Sequence, residues 1–214
     1  MNVYIMAGGP KDYIPELENY RDDASWIGVD RGVVYLMEQS IPIEAAFGDF
    51  DSVTNEEWQQ IEVSTNILKR FKPEKNETDM ELAIQWAIDQ GATSIKLFGA
   101  TGGRMDHSIA NLQLLLREVL RSEDVVIEII DTKNKVKIVR SGTYTVEQDS
   151  HFPYVSFFPY STNIVGLTLS GFKYPLVRKN LPLSSTLCIS NELIRETGTF
   201  SFDEGILMVI RSRD

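Results

Sequence analysis

Apolar and polar positions change rhythm once along this chain. Over residues 1–130, short apolar runs alternate with segments of helical period. The runs Val3–Ala7, Trp26–Val29, Ala45–Phe47, Ile67–Phe71, Ile95–Phe98 and Val125–Ile130 are bounded mostly by glycine or charge. Strands buried in a parallel sheet have that texture. Between the fourth and fifth runs, Met80, Ala83, Ile84, Ala87 and Ile88 recur at the spacing of one helix face. Thr78 with Glu81 and Thr54 with Glu57 give capping-box patterns, and Gly91 stands just past the end of the first helix. Ile109, Leu112, Leu116, Val119 and Leu120 predict a further apolar helix face.

After Ile130 the period drops to two. Lys135–Arg140 and Thr143–Glu147 alternate across Ser141-Gly142. Ile164–Leu169, Thr186–Ile189, Thr199–Phe202 and Gly205–Ile210 are also strand-like, and Asp203-Glu204-Gly205 reads as a hairpin turn. The pattern predicts an α/β fold: a mostly parallel six-stranded sheet with flanking helices over 1–130, then a small antiparallel β-sandwich over 131–214. A sandwich of about 80 residues is near the lower limit for a self-sufficient core. It is expected to lean on the first domain or on a second copy.

Bulk composition narrows the class. At 214 residues, 43% hydrophobic and 24% charged, the chain reads as an ordinary globular protein. No apolar run approaches the roughly 20 residues that span a bilayer, and the opening residues lack a secretory pattern. The single cysteine, Cys188, excludes an internal disulfide framework and fits a cytoplasmic location. The net charge of −10 is uneven: −12 over residues 1–130 and +2 over 131–214. So acidic a half argues against a nucleic-acid surface. A polyphosphate bound there would need a divalent metal and a few placed cations, and the same field would favour a cationic second substrate.

Five of the six predicted strands in the first domain lead towards a polar motif: Ala7-Gly8-Gly9, Val29-Asp30-Arg31-Gly32, Gly48-Asp49-Phe50-Asp51-Ser52, Lys75-Asn76-Glu77-Thr78-Asp79 and Gly99-Ala100-Thr101-Gly102-Gly103-Arg104-Met105-Asp106-His107. In an open parallel sheet those ends share one edge, where ligands bind. Asp49, Asp51, Asp79 and Asp106 can therefore converge. Adjacent carboxylates repel unless a cation lies between them. Blander readings stand beside this one: a solvated turn for Asp49 and Asp51, and helix-dipole charges for Asp79 and Asp106. Gly102-Gly103-Arg104 is more specific, because paired glycines admit an anion to the backbone and arginine grips phosphate bidentately. Lys75 fits phosphate or a plain surface equally, and His107 stands where it can touch phosphate. His151 reads as structural, Cys188 as a buried hydrophobe, and Trp26, Trp58 and Trp86 as core or helix-face residues. Neither GxGxxG nor a P-loop pattern is present, which argues against hydride transfer and P-loop chemistry.

Gly48–Ser52, Lys75–Asp79, Gly102–His107 and Ile189-Ser190-Asn191-Glu192, in that order, resemble the motifs of the thiamine pyrophosphokinase family, in its bacterial form. The resemblance spans nearly the whole chain. It implies transfer of the pyrophosphoryl group of ATP to the hydroxyl of thiamine, giving thiamine diphosphate and AMP. It also implies Mg²⁺, a homodimer, a catalytic α/β domain and a β-sandwich that binds thiamine and dimerises. By the same resemblance Asp49, Asp51, Asp79 and Asp106 hold the metal and serve the attacking hydroxyl. Lys75 and Arg104 fall in the family's phosphate-contacting loops, and Ser190 and Asn191 match its thiamine side; Gly8, Gly9, Asp30, Gly32, Thr78, Gly102, Gly103 and His107 are expected to face ATP with them. Some relatives stack a tryptophan of the β-domain on thiamine. This chain has none after Trp86, leaving Phe172, Tyr174 and Phe200 as candidates. A diphosphokinase for another primary alcohol, such as 6-hydroxymethylpterin, and a catalytically silent nucleotide-binding regulator are the alternatives. Ser190-Asn191 favours thiamine over the first; the four aspartates and Arg104 favour turnover over the second.

Overall fold

The computed structural model describes residues 1–21, 24–51, 53–70, 76–121 and 124–214. The chain divides into two units, Met1–Thr132 and Lys133–Asp214.

In the first unit six strands, β1 (Asn2–Met6), β2 (Ser25–Val29), β3 (Ile43–Gly48), β4 (Thr65–Arg70), β5 (Ser94–Phe98) and β6 (Val126–Ile130), lie in the order β6-β5-β1-β2-β3-β4. All five pairings are parallel. Val3, Tyr4, Ile5 and Met6 of the central strand are all buried, so both faces of the sheet are covered. From β1 the order runs one way to β4 and the other way to β6. The switch point therefore lies at β1 and β5, and the glycine loops after those two strands flank it.

Among the described residues four α-helices alternate with the strands: α1 (Gly32–Glu38), α2 (Asn55–Ser64), α3 (Asp79–Asp89) and α4 (Met105–Arg121). Thr54 and Glu57 cap α2 reciprocally. Thr78 accepts from Glu81 N–H at the start of α3, but the Glu81 carboxylate pairs with Arg117 of α4. That bond ties α3 to α4. Met80, Ala83, Ile84 and Ala87 are buried as their spacing predicts. The expected face of α4 needs correcting. Leu114, Leu115 and Glu118 are its buried residues, while Ile109 and Leu120 are about half exposed. Apolar residues occur around much of this helix, so period alone does not choose the inner face.

The second unit holds β7 (Asn134–Glu147), β8 (Tyr154–Pro159), β9 (Asn163–Ser170), β10 (Leu176–Pro182), β11 (Asn191–Glu192) and β12 (Thr197–Ser212), paired antiparallel. The expected hairpin at Asp203-Glu204-Gly205 is instead a bulge inside one long strand. There three residues of β12 oppose Ser141 alone on β7. An extra-residue bulge bends a strand and lets it change sheets. Thr199–Ser201 pairs with β9, and Leu207–Ser212 pairs with β8. Ser141-Gly142 likewise lies within β7 rather than between two strands. Phe157, Leu169, Phe172, Phe200 and Leu207 fill the core with Cys188, whose thiol pKa burial pushes up to about 11.

Candidate functional site

A cleft of about 900 Å³ opens in the α/β unit beside the glycine loops. Gly8 and Gly9 line one side, and Thr101, Gly103, Arg104, Asp106 and His107 line another. Asp30, Arg31, Asp49, Thr78 and Asp79 complete the polar wall. Gly9 N–H donates to Gly99 O at 2.9 Å, and a Cβ on Gly9 would sit 2.3 Å from that oxygen. The first glycine pair thus serves close packing of the two loops as well as access to a ligand.

Three expected contacts do not line the cleft: Asp51, Gly32 and Gly102. Gly32 permits α1 to start against β1, since a Cβ there would meet Met6 O at 2.0 Å. Gly102, at φ +85°, leaves room for the Tyr13 ring. Lys75 and Ser52 lie outside the described residues.

Asp30 holds the deepest carboxylate of the set. It follows β2 in the left-handed region, at φ 48°, which an aspartate tolerates better than most residues. A Cβ on Gly48 would stand 2.0 Å from Asp30 Oδ1, so only glycine there admits the carboxylate. Phe50 N–H donates to the Asp30 carboxylate, yet the buried Oδ1 has no partner. Burial raises the Asp30 pKa to about 6, with further contributions from the charges of Asp79, Asp49 and Asp51. These four carboxylates share one electrostatic neighbourhood, and a cation is what their charge and the unpartnered oxygen lack. Among the described residues no three carboxylate, histidine or cysteine side chains form a closed metal cage. A divalent ion that keeps positions for phosphate oxygens fits such a partial donor set. Asp49 and Asp51 also build a turn, with Asp51 N–H donating to Asp49 Oδ1 at 3.1 Å.

Asp106 stands apart. Its carboxylate accepts from Arg104 Nε at 3.1 Å and from Arg104 Nη2 at 2.6 Å, and also from His107 N–H. The Arg104 pairing holds its pKa below the usual range. Both side chains are largely exposed, and exposed pairs bind weakly, so phosphate can compete for the guanidinium. The sequence reading did not assign Arg31 a role. It lines the cleft with its side chain 41% exposed, 3.5 Å from Glu57. Its place inside the Asp30-Arg31-Gly32 motif was the available signal.

In the second unit Asn191 is 2% exposed. Its Oδ1 accepts from Tyr174 N–H and Glu192 N–H, each at 3.0 Å, and its Nδ2 donates to Tyr174 O at 2.9 Å. The amide expected to meet thiamine is engaged by the protein's own backbone. Ser190 is exposed at φ 54°, and its N–H donates to Ser156 Oγ. Of the three aromatics left open, Phe172 and Phe200 are at most 1% exposed, whereas Tyr174 is 59% exposed.

Comparison with known proteins agrees with this division of the chain. The family model for the thiamin pyrophosphokinase catalytic domain matches residues 17–128, and that for the thiamin pyrophosphokinase vitamin B1 binding domain matches 143–207. Thiamine pyrophosphokinase of Bacillus subtilis (strain 168) is 48% identical over 214 residues, covering 99% of each chain. The crystal structure of thiamine pyrophosphokinase from Bacillus subtilis superposes with a TM-score of 0.94 at 45% identity, over 100% of both chains. That of thiamin pyrophosphokinase from Geobacillus thermodenitrificans gives 0.90 at 46% identity, over 100% of this chain and 98% of the other. With both family models matched in order and near-complete coverage of a 48% identical relative, the chain belongs to the thiamine pyrophosphokinase family.

Proposed function

We propose that this chain transfers the pyrophosphoryl group of ATP to the hydroxyl of thiamine, releasing AMP. The hydroxyl oxygen attacks the β-phosphorus, the bond from that phosphorus to the bridging α,β-oxygen breaks, and a cleft carboxylate takes the hydroxyl proton. The observation that carries this reading is one cleft uniting two glycine loops, two arginines and an electron-rich set of carboxylates. Transfer of this kind is mainly alignment and neutralisation of charge. Arg104 and Arg31 bind phosphate oxygens. Asp30, Asp49 and Asp79 would hold Mg²⁺, with Asp51 adding negative charge; the ion would supply neutralisation and orientation of the phosphates when bound. The negative field of the same carboxylates favours the cationic thiazolium ring.

Ser190 offers a hydroxyl to the aminopyrimidine, and Tyr174 offers the exposed aromatic face. Asn191 acts one step back by fixing the Tyr174 backbone. A homodimer is proposed from the exposed apolar side chains of Val177, Leu183, Leu187, Ile189 and Ile194 in the β-rich unit, a density of apolar surface that calls for cover. The cytoplasm is the proposed location, since no helix among the described residues is long and apolar enough to cross a membrane and the lone cysteine is free and buried. The test is AMP release from ATP with thiamine, then with a hydroxymethylpterin. Release with thiamine and not with the pterin supports the reading. Release with the pterin alone, or with neither, overturns it.

A further inference from the structure

We infer that Asp131 and Thr132 position both rims of the nucleotide cleft and so set its affinity for ATP; the inference rests on the reading of that cleft as the ATP site. These are the last two residues of the α/β unit, directly after β6. Asp131 is 2% exposed, and its carboxylate accepts a 2.6 Å hydrogen bond from Thr101 Oγ1 in the loop after β5. Thr132 reaches the other rim. Its N–H donates to Tyr13 O at 3.1 Å and its Oγ1 to Asp12 O at 3.2 Å, in the short helical turn that follows Gly8-Gly9-Pro10.

One dipeptide therefore ties down both loops that carry the cleft's glycines. Cross-braces complete the frame: Gly9 N–H to Gly99 O, and Asn111 Nδ2 to Ala100 O at 2.8 Å. Tyr13 also packs against Gly102, where a Cβ would sit 2.4 Å from its ring. Burying a carboxylate is costly unless it is well paired, and a surface loop does not require one. Here the carboxylate fixes Thr101, two and three residues before Gly103 and Arg104 on the cleft wall. Neither Asp131 nor Thr132 lines the cleft. They act through the rims, as positioning residues. Preorganised rims spare ATP the cost of ordering them on binding.

Steady-state kinetics of the full chain, with ATP and thiamine varied in turn, test this. Thr101→Val removes the bond to Asp131 at nearly constant shape. It should raise the KM for ATP about fivefold, in the range of one lost hydrogen bond, and leave the KM for thiamine within twofold. Thr101→Ser, which keeps the hydroxyl, should stay within twofold of wild type for both. Thr132→Val, losing only its side-chain bond, should raise the KM for ATP by about twofold to threefold on the same principle. The inference is overturned if Thr101→Val leaves the KM for ATP within twofold. It is equally overturned if Thr101→Ser is as impaired as Thr101→Val, or if the KM values for ATP and thiamine rise together. Should Thr101→Val fail to fold, Thr132→Val decides by the same split between substrates. Wild-type protein that releases no AMP would refute the underlying reading instead, so the two failures are distinguishable.

Discussion

Two polar regions of this molecule handle their hydrogen bonds in opposite ways. In the α/β unit, Asp30 keeps a buried oxygen without a partner, and the charges of Asp79, Asp49 and Asp51 press on it. In the β-rich unit, buried Asn191 makes three hydrogen bonds to backbone groups. An unsatisfied carboxylate lowers the stability of the ligand-free fold and is resolved by a cation. A largely satisfied amide stabilises the fold and has at most one Nδ2–H left to offer a ligand. On the proposed function, the first region binds and the second mainly holds a surface that binds.

The largest expected effects test the first half of that contrast. Asp49→Asn and Asp79→Asn should each lower kcat by roughly 10²–10³, comparable to loss of one strong transition-state stabiliser. Asp49→Asn should not lower the Tm of the metal-free protein, because it removes repulsion, and Asp79→Asn should lower it little, because relief of repulsion offsets the lost charge at the start of α3. A parallel loss of Tm and kcat would make these carboxylates structural. Asp106→Asn should cost less turnover than either, since its carboxylate is engaged by Arg104 rather than by the Asp30 neighbourhood. A kcat as low as that of Asp79→Asn would return Asp106 to the metal set.

The second half predicts the reverse order of symptoms. Asn191→Ala strands the Tyr174 and Glu192 backbone groups and should cost about 2–3 kcal/mol of stability, read as a fall in denaturation midpoint. Its KM for thiamine should rise with that loss while the KM for ATP holds. Ser190→Ala should raise the KM for thiamine by up to roughly tenfold, the loss of one hydrogen bond, with the midpoint unchanged. If Asn191→Ala raises the KM for thiamine without any loss of stability, Asn191 touches the substrate after all.

What the sequence made legible follows the same divide. Strand positions and the glycine loops were readable, because buried parallel strands and tight turns each demand particular residues. The long bent strands of the second unit were not. Asp203-Glu204-Gly205 has hairpin chemistry, and only the pairing of Phe202 with Gly142 and Ile206 with Arg140 makes it a bulge. Asn191 was legible as important and illegible in role, since an asparagine that binds a ligand and one that binds backbone are the same letter. Asp30 is expected near ATP from its strand-end motif; its depth depends on Gly48, whose need for glycine appears only when the two loops meet.

The smallest effect separates electrostatic tension from ordinary packing. The folded-state pKa of Asp30 is raised to about 6 from an ordinary 3.8. The folded state therefore holds this proton more tightly than the unfolded chain does. By linkage, the contribution of Asp30 to stability is greatest below about pH 4 and is lost as pH rises through about 6, then stays flat. Asp149 has a lowered pKa through Lys135 and His151 N–H, and loses its stabilising contribution as pH falls. The whole-protein profile thus mixes opposite trends, and the informative quantity is the difference between wild type and Asp30→Asn. In metal-free buffer, Asp30→Asn should gain Tm relative to wild type as pH rises from 4 to 7, by a few degrees at most because the site is partly solvated. Mg²⁺ should raise the wild-type Tm at pH 7 and raise that of Asp30→Asn less. A Tm difference that does not change with pH would mean that Asp30 feels no net repulsion when folded. The contrast between a strained binding region and a satisfied supporting one would then lose its best-defined residue.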